Sequence, residues 1–214
     1  MIVAIDGPAG AGKSTVAKEL ANRLGFTYIN TGAMYRAIGW KVLQQNIALE
    51  DSEKISKIAN ESQIELIGDT VWMDGKEITA QIRTAEISSA ASVVSAIPAV
   101  RRALVAQQQR LGRATDVVME GRDIGTKVFP DAEVKIYLDA SPETRAERRH
   151  REELEKGIEA SYHNILLDII ERDTRDSSRS DSPLTQAVGS IYFDSSTFSP
   201  QEVIEQLTKF ITSK

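Results

Sequence analysis

Gly7-Pro8-Ala9-Gly10-Ala11-Gly12-Lys13-Ser14-Thr15 is the stretch whose residue types and spacing point most directly to chemistry. It fits the pattern glycine, four residues, Gly-Lys-Ser, the signature of a loop that wraps phosphates. Glycines there let backbone N–H groups turn inward with no Cβ in the way. Lys13 is placed to reach terminal phosphate oxygens, and the Ser14 hydroxyl to hold Mg²⁺. The flanks agree with this reading. Ile2-Val3-Ala4-Ile5 is an apolar run suited to a buried parallel strand, and Val16, Leu20, Ala21 and Leu24 follow at helical spacing. A helix beginning at the loop adds its partial positive charge to the phosphate site. The alternative is a plain glycine-rich turn between strand and helix, which leaves the lysine and the hydroxyl unexplained.

A phosphate loop alone names no reaction, because ATPases, GTPases, motors and kinases all use one. The chain has no Asn-Lys-x-Asp or Thr-Lys-x-Asp stretch, which disfavours a guanine-reading switch. Arginines supply the positive clue. Arg36, Arg101, Arg122, the run from Arg145 to Arg151, and the set Arg172, Arg175 and Arg179 fall beyond strand ends or on the adjoining helices. Moving a phosphoryl group between two anions needs guanidinium groups on both of them. A single arginine is ordinarily a solvated helix face, and Arg151, among several glutamates, is read that way. Glu120, at the end of a buried strand, suits the water shell of a metal ion, or else pairing with Arg122. Asp123 can accept from an exocyclic amino group, and Arg101 can donate to a ring nitrogen and a carbonyl. Such a pair suits cytosine, with its one amino donor beside two acceptors.

Composition closes off other chemistries. With no cysteine there is no disulfide, thiolate metal site or cysteine nucleophile. The only histidines, His150 and His163, make zinc clusters and histidine-based triads improbable. A net charge of −5 argues against a nucleic-acid partner. No signal peptide precedes the first strand and no apolar run approaches a membrane span, so a cytoplasmic enzyme with no membrane partner is expected.

The elements that must position these residues alternate. After the first helix, Phe26–Ile29 reads as a strand, and Thr31 as the cap of a helix over 33–45. A helix follows Asp51. Short antiparallel strands lie at 64–67, 71–73 and 76–78, with a hairpin turn at Asp74-Gly75. Helices are expected over 84–95 and from Pro98 to Leu111, and strands over 116–119 and 134–138. Ser141-Pro142-Glu143 opens a highly charged helix. Another runs from Tyr162 to about Asp173, followed by a polar loop over 172–183. A strand at 191–193 and a capping box at Ser199 lead into the last helix. The sum is an α/β, three-layer fold: a parallel sheet of about five strands flanked by helices, with ligands at the strands' carboxyl ends and a small antiparallel insert.

These stretches together resemble bacterial cytidylate (CMP) kinases, in the nucleoside monophosphate kinase branch of P-loop proteins. The likeness rests on Ile5 through Thr15, Asn30 through Arg36, Ile82-Arg83-Thr84, Glu120 through Thr126, Phe129-Pro130-Asp131-Ala132, and Arg172-Asp173 through Asp176 to Arg179. It implies a core over 1–31, 112–147 and 162–214, a monophosphate-binding region over 32–111, and a short lid over 148–161. It implies that Thr31, Arg36 and Arg122 surround the acceptor phosphate, and that Ser92, Arg101 and Asp123 read the cytosine edge. Arg172 and Asp176 would contact the sugar and Arg179 the phosphates. Arg148 and Arg149 would swing over ATP, and Lys13, Arg148 and Arg179 would carry catalysis. The implied reaction moves the γ-phosphoryl of ATP, with Mg²⁺, to CMP or dCMP in a monomeric enzyme. Because the attacking phosphate oxygen is already ionised, no general base is required. Two other readings stay open: a kinase for another small acceptor, such as UMP or a non-nucleotide metabolite, and a regulatory ATP-binding module that serves a partner protein.

Overall fold

The computed structural model describes residues 1–213. Among the described residues, eight strands and eight α-helices form two regions of different character. The core begins with β1 (Ile2–Asp6), the glycine loop and α1 (Lys13–Leu24), followed by β2 (Thr27–Asn30) and α2 (Thr31–Gln44). A helical and antiparallel region follows: α3 (Ser52–Glu61), β3 (Ile64–Ile67), β4 (Thr70–Met73), β5 (Lys76–Glu77), α4 (Ala85–Val94) and α5 (Pro98–Gly112). The chain then returns through β6 (Val117–Glu120), a π-helical turn at Ile124–Val128, β7 (Val134–Asp139), α6 (Pro142–Glu155), α7 (Tyr162–Ser177), β8 (Ile191–Asp194) and α8 (Pro200–Thr212).

The main sheet runs β2-β6-β1-β7-β8 and every pair is parallel. β1 and β6 are buried along nearly their whole length, as strands covered on both faces must be. One apolar cluster joins Val3, Ile5, Leu20, Ile136 and Leu138 to Val203, Ile204 and Leu207 of α8. A separate one gathers Met34, Ile38, Ile55, Met73, Ile78, Val94 and Leu104 around α2, α3, α4, α5 and the small sheet β3-β4-β5. Asp74 and Gly75 take φ of 51° and 77°, the left-handed pair that a two-residue hairpin turn demands.

Two expectations need correction. Thr31 does not cap α2: the Asn30 side chain accepts from Ala33 N, and Thr31 is the first helical residue. The span from Arg172 is not a loop, because α7 continues to Ser177 and places Arg172, Arg175 and Asp176 on a helix. Its inward residues there are charged, so the usual apolar repeat is missing.

Candidate active site

The glycine loop leaves β1 at Gly7, where a Cβ would lie 1.9 Å from the Leu138 carbonyl oxygen; only glycine lets the chain pass β7 there. Gly12, at φ 87°, starts α1 without any side-chain cap, which leaves first-turn N–H groups free for an anion. Buried Lys13 donates from Nζ to Pro8 O at 2.5 Å. Burial pulls its pKa well down, and Arg122 pulls in the same direction. Behind the loop, the buried Arg145 of α6 donates to Ala9 O at 2.9 Å and Ala140 O at 2.8 Å, and forks onto Asp173 of α7. Arg148 donates to Ser195 Oγ (3.2 Å) and O (2.6 Å), and Ser195 Oγ in turn donates to Asp139 O.

A cleft of about 930 Å³ runs from this loop across the carboxyl ends of the strands. Its lining brings together Ala9 through Thr15, Thr31, Arg36, Arg101, Glu120, Arg122, Asp123, Arg148, Arg172, Asp176 and Arg179. Gly7 and Pro8 lie at the base of the loop, outside the lining, and so do Ser92 and Arg149. Ser92 is buried and accepts from Arg175 Nη1 at 2.9 Å, while Arg149 pairs with Glu153 one turn along α6. Arg151 belongs to the lining even though it is exposed.

At the far end of the cleft the side chains hold one another. Arg101 and Asp123 form a buried ion pair, and Arg101 also donates to Ser95 O and lies 5.6 Å over the Tyr35 ring. Burial works against the Arg101 charge, yet Tyr35 and Asp123 together hold its pKa above the ordinary value. Asp176 is buried between Arg122 and Arg179 and ion-paired to both. Burial lowers the pKa of Arg36, of Arg179 and of Arg172, where Arg122 adds to it and the value falls to about 10. Among the described residues, the Nε donors of Arg36, Arg101, Arg172 and Arg179 are buried without a hydrogen-bond partner. A buried cation with an orphaned donor is costly unless an anion completes it. Together these arginines fit a ligand carrying phosphate.

Glu120 does not pair with Arg122, which is taken by Asp176. Its carboxylate accepts from Tyr28 Oη, and its backbone carbonyl accepts from Thr31 Oγ at 2.7 Å. Burial beside Glu120 drives the Tyr28 pKa sharply upward, so its hydroxyl stays a donor. Among the described residues there is no group of three or more histidines, cysteines or carboxylates arranged to hold a metal ion. The Ser14 hydroxyl and the Glu120 carboxylate share the cleft instead. That sparse donor set fits Mg²⁺, which takes one or two protein oxygens and completes its shell with water and phosphate.

Sequence reasoning gave no role to Asp6, Ser95 or Ser195. Asp6 is buried at the end of β1 and accepts from Ile124 N (2.8 Å) and Gly125 N (2.7 Å), fastening the turn beside Asp123 to the base of the glycine loop. A lone acid closing the apolar run Ile2–Ile5 was the signal available, since a buried carboxylate must find donors.

A model of the cytidylate kinase family matches residues 3–213. The chain is 52% identical to a cytidylate kinase of Caldanaerobacter subterraneus subsp. tengcongensis over 98% of its own length and 93% of that protein. It is 50% identical to a cytidylate kinase of Solibacter usitatus over 100% of its length and 93% of the relative. In structure it resembles a shikimate kinase of Bacteroides thetaiotaomicron with a TM-score of 0.53 at 13% identity, covering 99% of this chain and 98% of the other, a likeness of fold alone. With a glycine loop at one end of the cleft and a guanidinium-lined pocket at the other, this chain belongs to the cytidylate kinase family.

Proposed function

We propose that this enzyme transfers the γ-phosphoryl group of ATP to CMP, and also to dCMP, by direct in-line displacement. One observation carries the reading: a single cleft joins a phosphate-wrapping loop to a second set of cationic side chains with orphaned buried donors. A protein that holds one nucleotide needs only the first of these. The Arg101–Asp123 pair offers donors and an acceptor at the acceptor end, which suits the edge of cytosine.

In this mechanism Lys13 and the N–H groups of Gly10 through Ser14 hold the donor phosphates. Arg36, Arg122 and Arg172 hold the acceptor phosphate and sugar, with Asp176 on the sugar hydroxyls, and Arg179 bridges toward the transferring group. Ser92 reads the base alongside Arg101 and Asp123. Arg148, Arg149 and the segment over 148–161 cover ATP, and closure with the region over 32–111 excludes water, whose attack would waste ATP. The acceptor oxygen is already anionic near neutral pH, so positioning and charge neutralisation supply the acceleration. Ser14, and Glu120 through water, would hold Mg²⁺, which neutralises phosphate charge when bound. All these groups come from one chain, which supports the reading of a monomeric enzyme, and its working place in that reading is the cytoplasm. Among the described residues no single helix is long and apolar enough to cross a membrane.

The test is ADP release with CMP, dCMP, UMP and AMP as acceptors. CMP and dCMP are expected to drive release, and UMP and AMP to give far slower turnover. Release indifferent to every monophosphate would overturn the reading, and so would a preference for UMP.

A further inference from the structure

Helices α4 and α7 meet along a ladder of arginines and serines. Arg172 Nη1 donates to Ser88 Oγ at 3.2 Å, Arg175 Nη1 to Ser92 Oγ at 2.9 Å, and Arg179 Nη2 to Ser95 Oγ at 2.9 Å. The spacing is helical on both sides: three and then four residues along α7 and just past its end, four and then three along α4. The apolar faces of the two helices are committed elsewhere. Ile87, Ala91 and Val94 of α4 pack with α2 and the small sheet, whereas Ile165 and Ile169 of α7 pack with Ala146 of α6. The join between them is therefore polar, and it can loosen without exposing either apolar cluster.

The rungs differ in one respect. Arg172, Arg179 and Ser95 line the cleft, so a bound anion competes for those guanidinium groups. Arg175, Ser88 and Ser92 lie outside the lining, and Arg175 is steadied by Glu171 one turn earlier on α7. The Arg175–Ser92 rung is the only one with neither partner in the cleft.

We propose that Arg175 is a positioning residue for the acceptor nucleotide: its hold on Ser92 keeps α4 in register with α7 while substrate draws Arg172 and Arg179 off their serines. This deepens the cytidylate reading and rests on it. The Ser92 hydroxyl has one donor and two acceptor sites. Arg175 fills an acceptor site, so its guanidinium fixes the Ser92 side chain, and through it this stretch of α4, from outside the cleft.

The test compares Arg175→Met, Arg175→Lys, Ser92→Ala and the Met/Ala double variant with the wild type, using steady-state kinetics and amide hydrogen exchange. Arg175→Met is expected to raise KM for CMP about tenfold, as the loss of one hydrogen bond from a charged donor would, and to leave KM for ATP unchanged. Arg175→Lys should recover part of that loss, and the double variant should match Ser92→Ala alone. Without any ligand, amides over 85–94 should exchange faster in Arg175→Met, while those of β1 and α1 stay protected. Equal rises in both KM values, effects that multiply in the double variant, or unaltered α4 exchange would each overturn the proposal. A wild type inert toward CMP would overturn the acceptor assignment instead, and the exchange comparison would still decide the ladder.

Discussion

The two ends of the cleft are built in opposite ways. The donor end is one unbroken stretch, Gly7 through Thr15, whose working groups are largely backbone N–H donors set by glycine conformations. The acceptor end is assembled from side chains on α2, α5, α7 and the turn after β6, brought together from across the chain. At the proposed donor end, local loop geometry is held from behind through Arg145, which donates to Ala9 O and Ala140 O. At the acceptor end the groups that would touch substrate also hold one another, as Arg101 does Asp123 and as Arg122 and Arg179 do Asp176. A mutation at the first end should separate activity from stability. One at the second should damage both.

The largest effect tests the donor end. Lys13→Met should lower turnover by about a thousandfold or more, the scale of losing a cation aimed at transferring phosphate. Yet it removes a buried charge that donates to a backbone carbonyl rather than to a carboxylate, so stability should hold or rise. Turnover assays beside urea unfolding check both halves. A variant that loses activity because it unfolds would erase the contrast. Arg101→Met comes next. It strands Asp123 in a buried site, which should cost about 3 kcal/mol or more of stability. It should also raise KM for CMP by about a hundredfold and spare KM for ATP, as loss of a buried charged contact does. Unfolding and two-substrate kinetics below the transition check this. Stability equal to that of Lys13→Met would break the comparison.

The same division explains what could be read from the sequence. The glycine loop, Ser141-Pro142-Glu143, the capping box at Ser199 and the Asp74-Gly75 turn are each specified within a few residues, and the structure contains them all. The five-stranded parallel sheet follows from apolar runs alternating with helical periods. Periodicity ends α7 too early because the burial repeat of its last turns is carried by charge. Ile165, Ile169, Arg172 and Asp176 occupy one helical face, but only the first two are apolar, so periodicity appears to stop. Thr31 reads as a cap because both Asn30 and Thr31 can serve, and nothing local says that the Thr31 hydroxyl donates to the Glu120 carbonyl across the sheet. Ser92 shows a further limit. A family pattern can give it a role, but only the packing of α4 on α7 shows that Arg175 holds it.

Asp6 is where the two ends are fastened together, and it offers the smallest and most diagnostic test. It closes β1 immediately before the glycine loop, and its two oxygens accept the backbone N–H groups of the turn that follows Asp123. Burial raises its pKa to about 6, against those two hydrogen bonds; the nearby Asp123 charge adds to the rise and Lys13 opposes it. The unfolded chain gives up this proton near the ordinary carboxylate value, so between the two values only the folded state keeps it. The resulting stability is complete below about pH 4 and is lost as pH climbs through about 6, amounting to roughly 3 kcal/mol. Asp6→Asn cannot titrate, and it turns an amide donor toward one of the two N–H groups, so it starts from a lower stability. Its deficit relative to the wild type should therefore shrink by about that amount between pH 4 and pH 7. Urea midpoints of both proteins across that range measure the difference, in which the other carboxylates cancel. A deficit that stays flat, or grows with pH, would mean that Asp6 is ionised in the fold throughout, and that the fastening is a fixed charge on two amides.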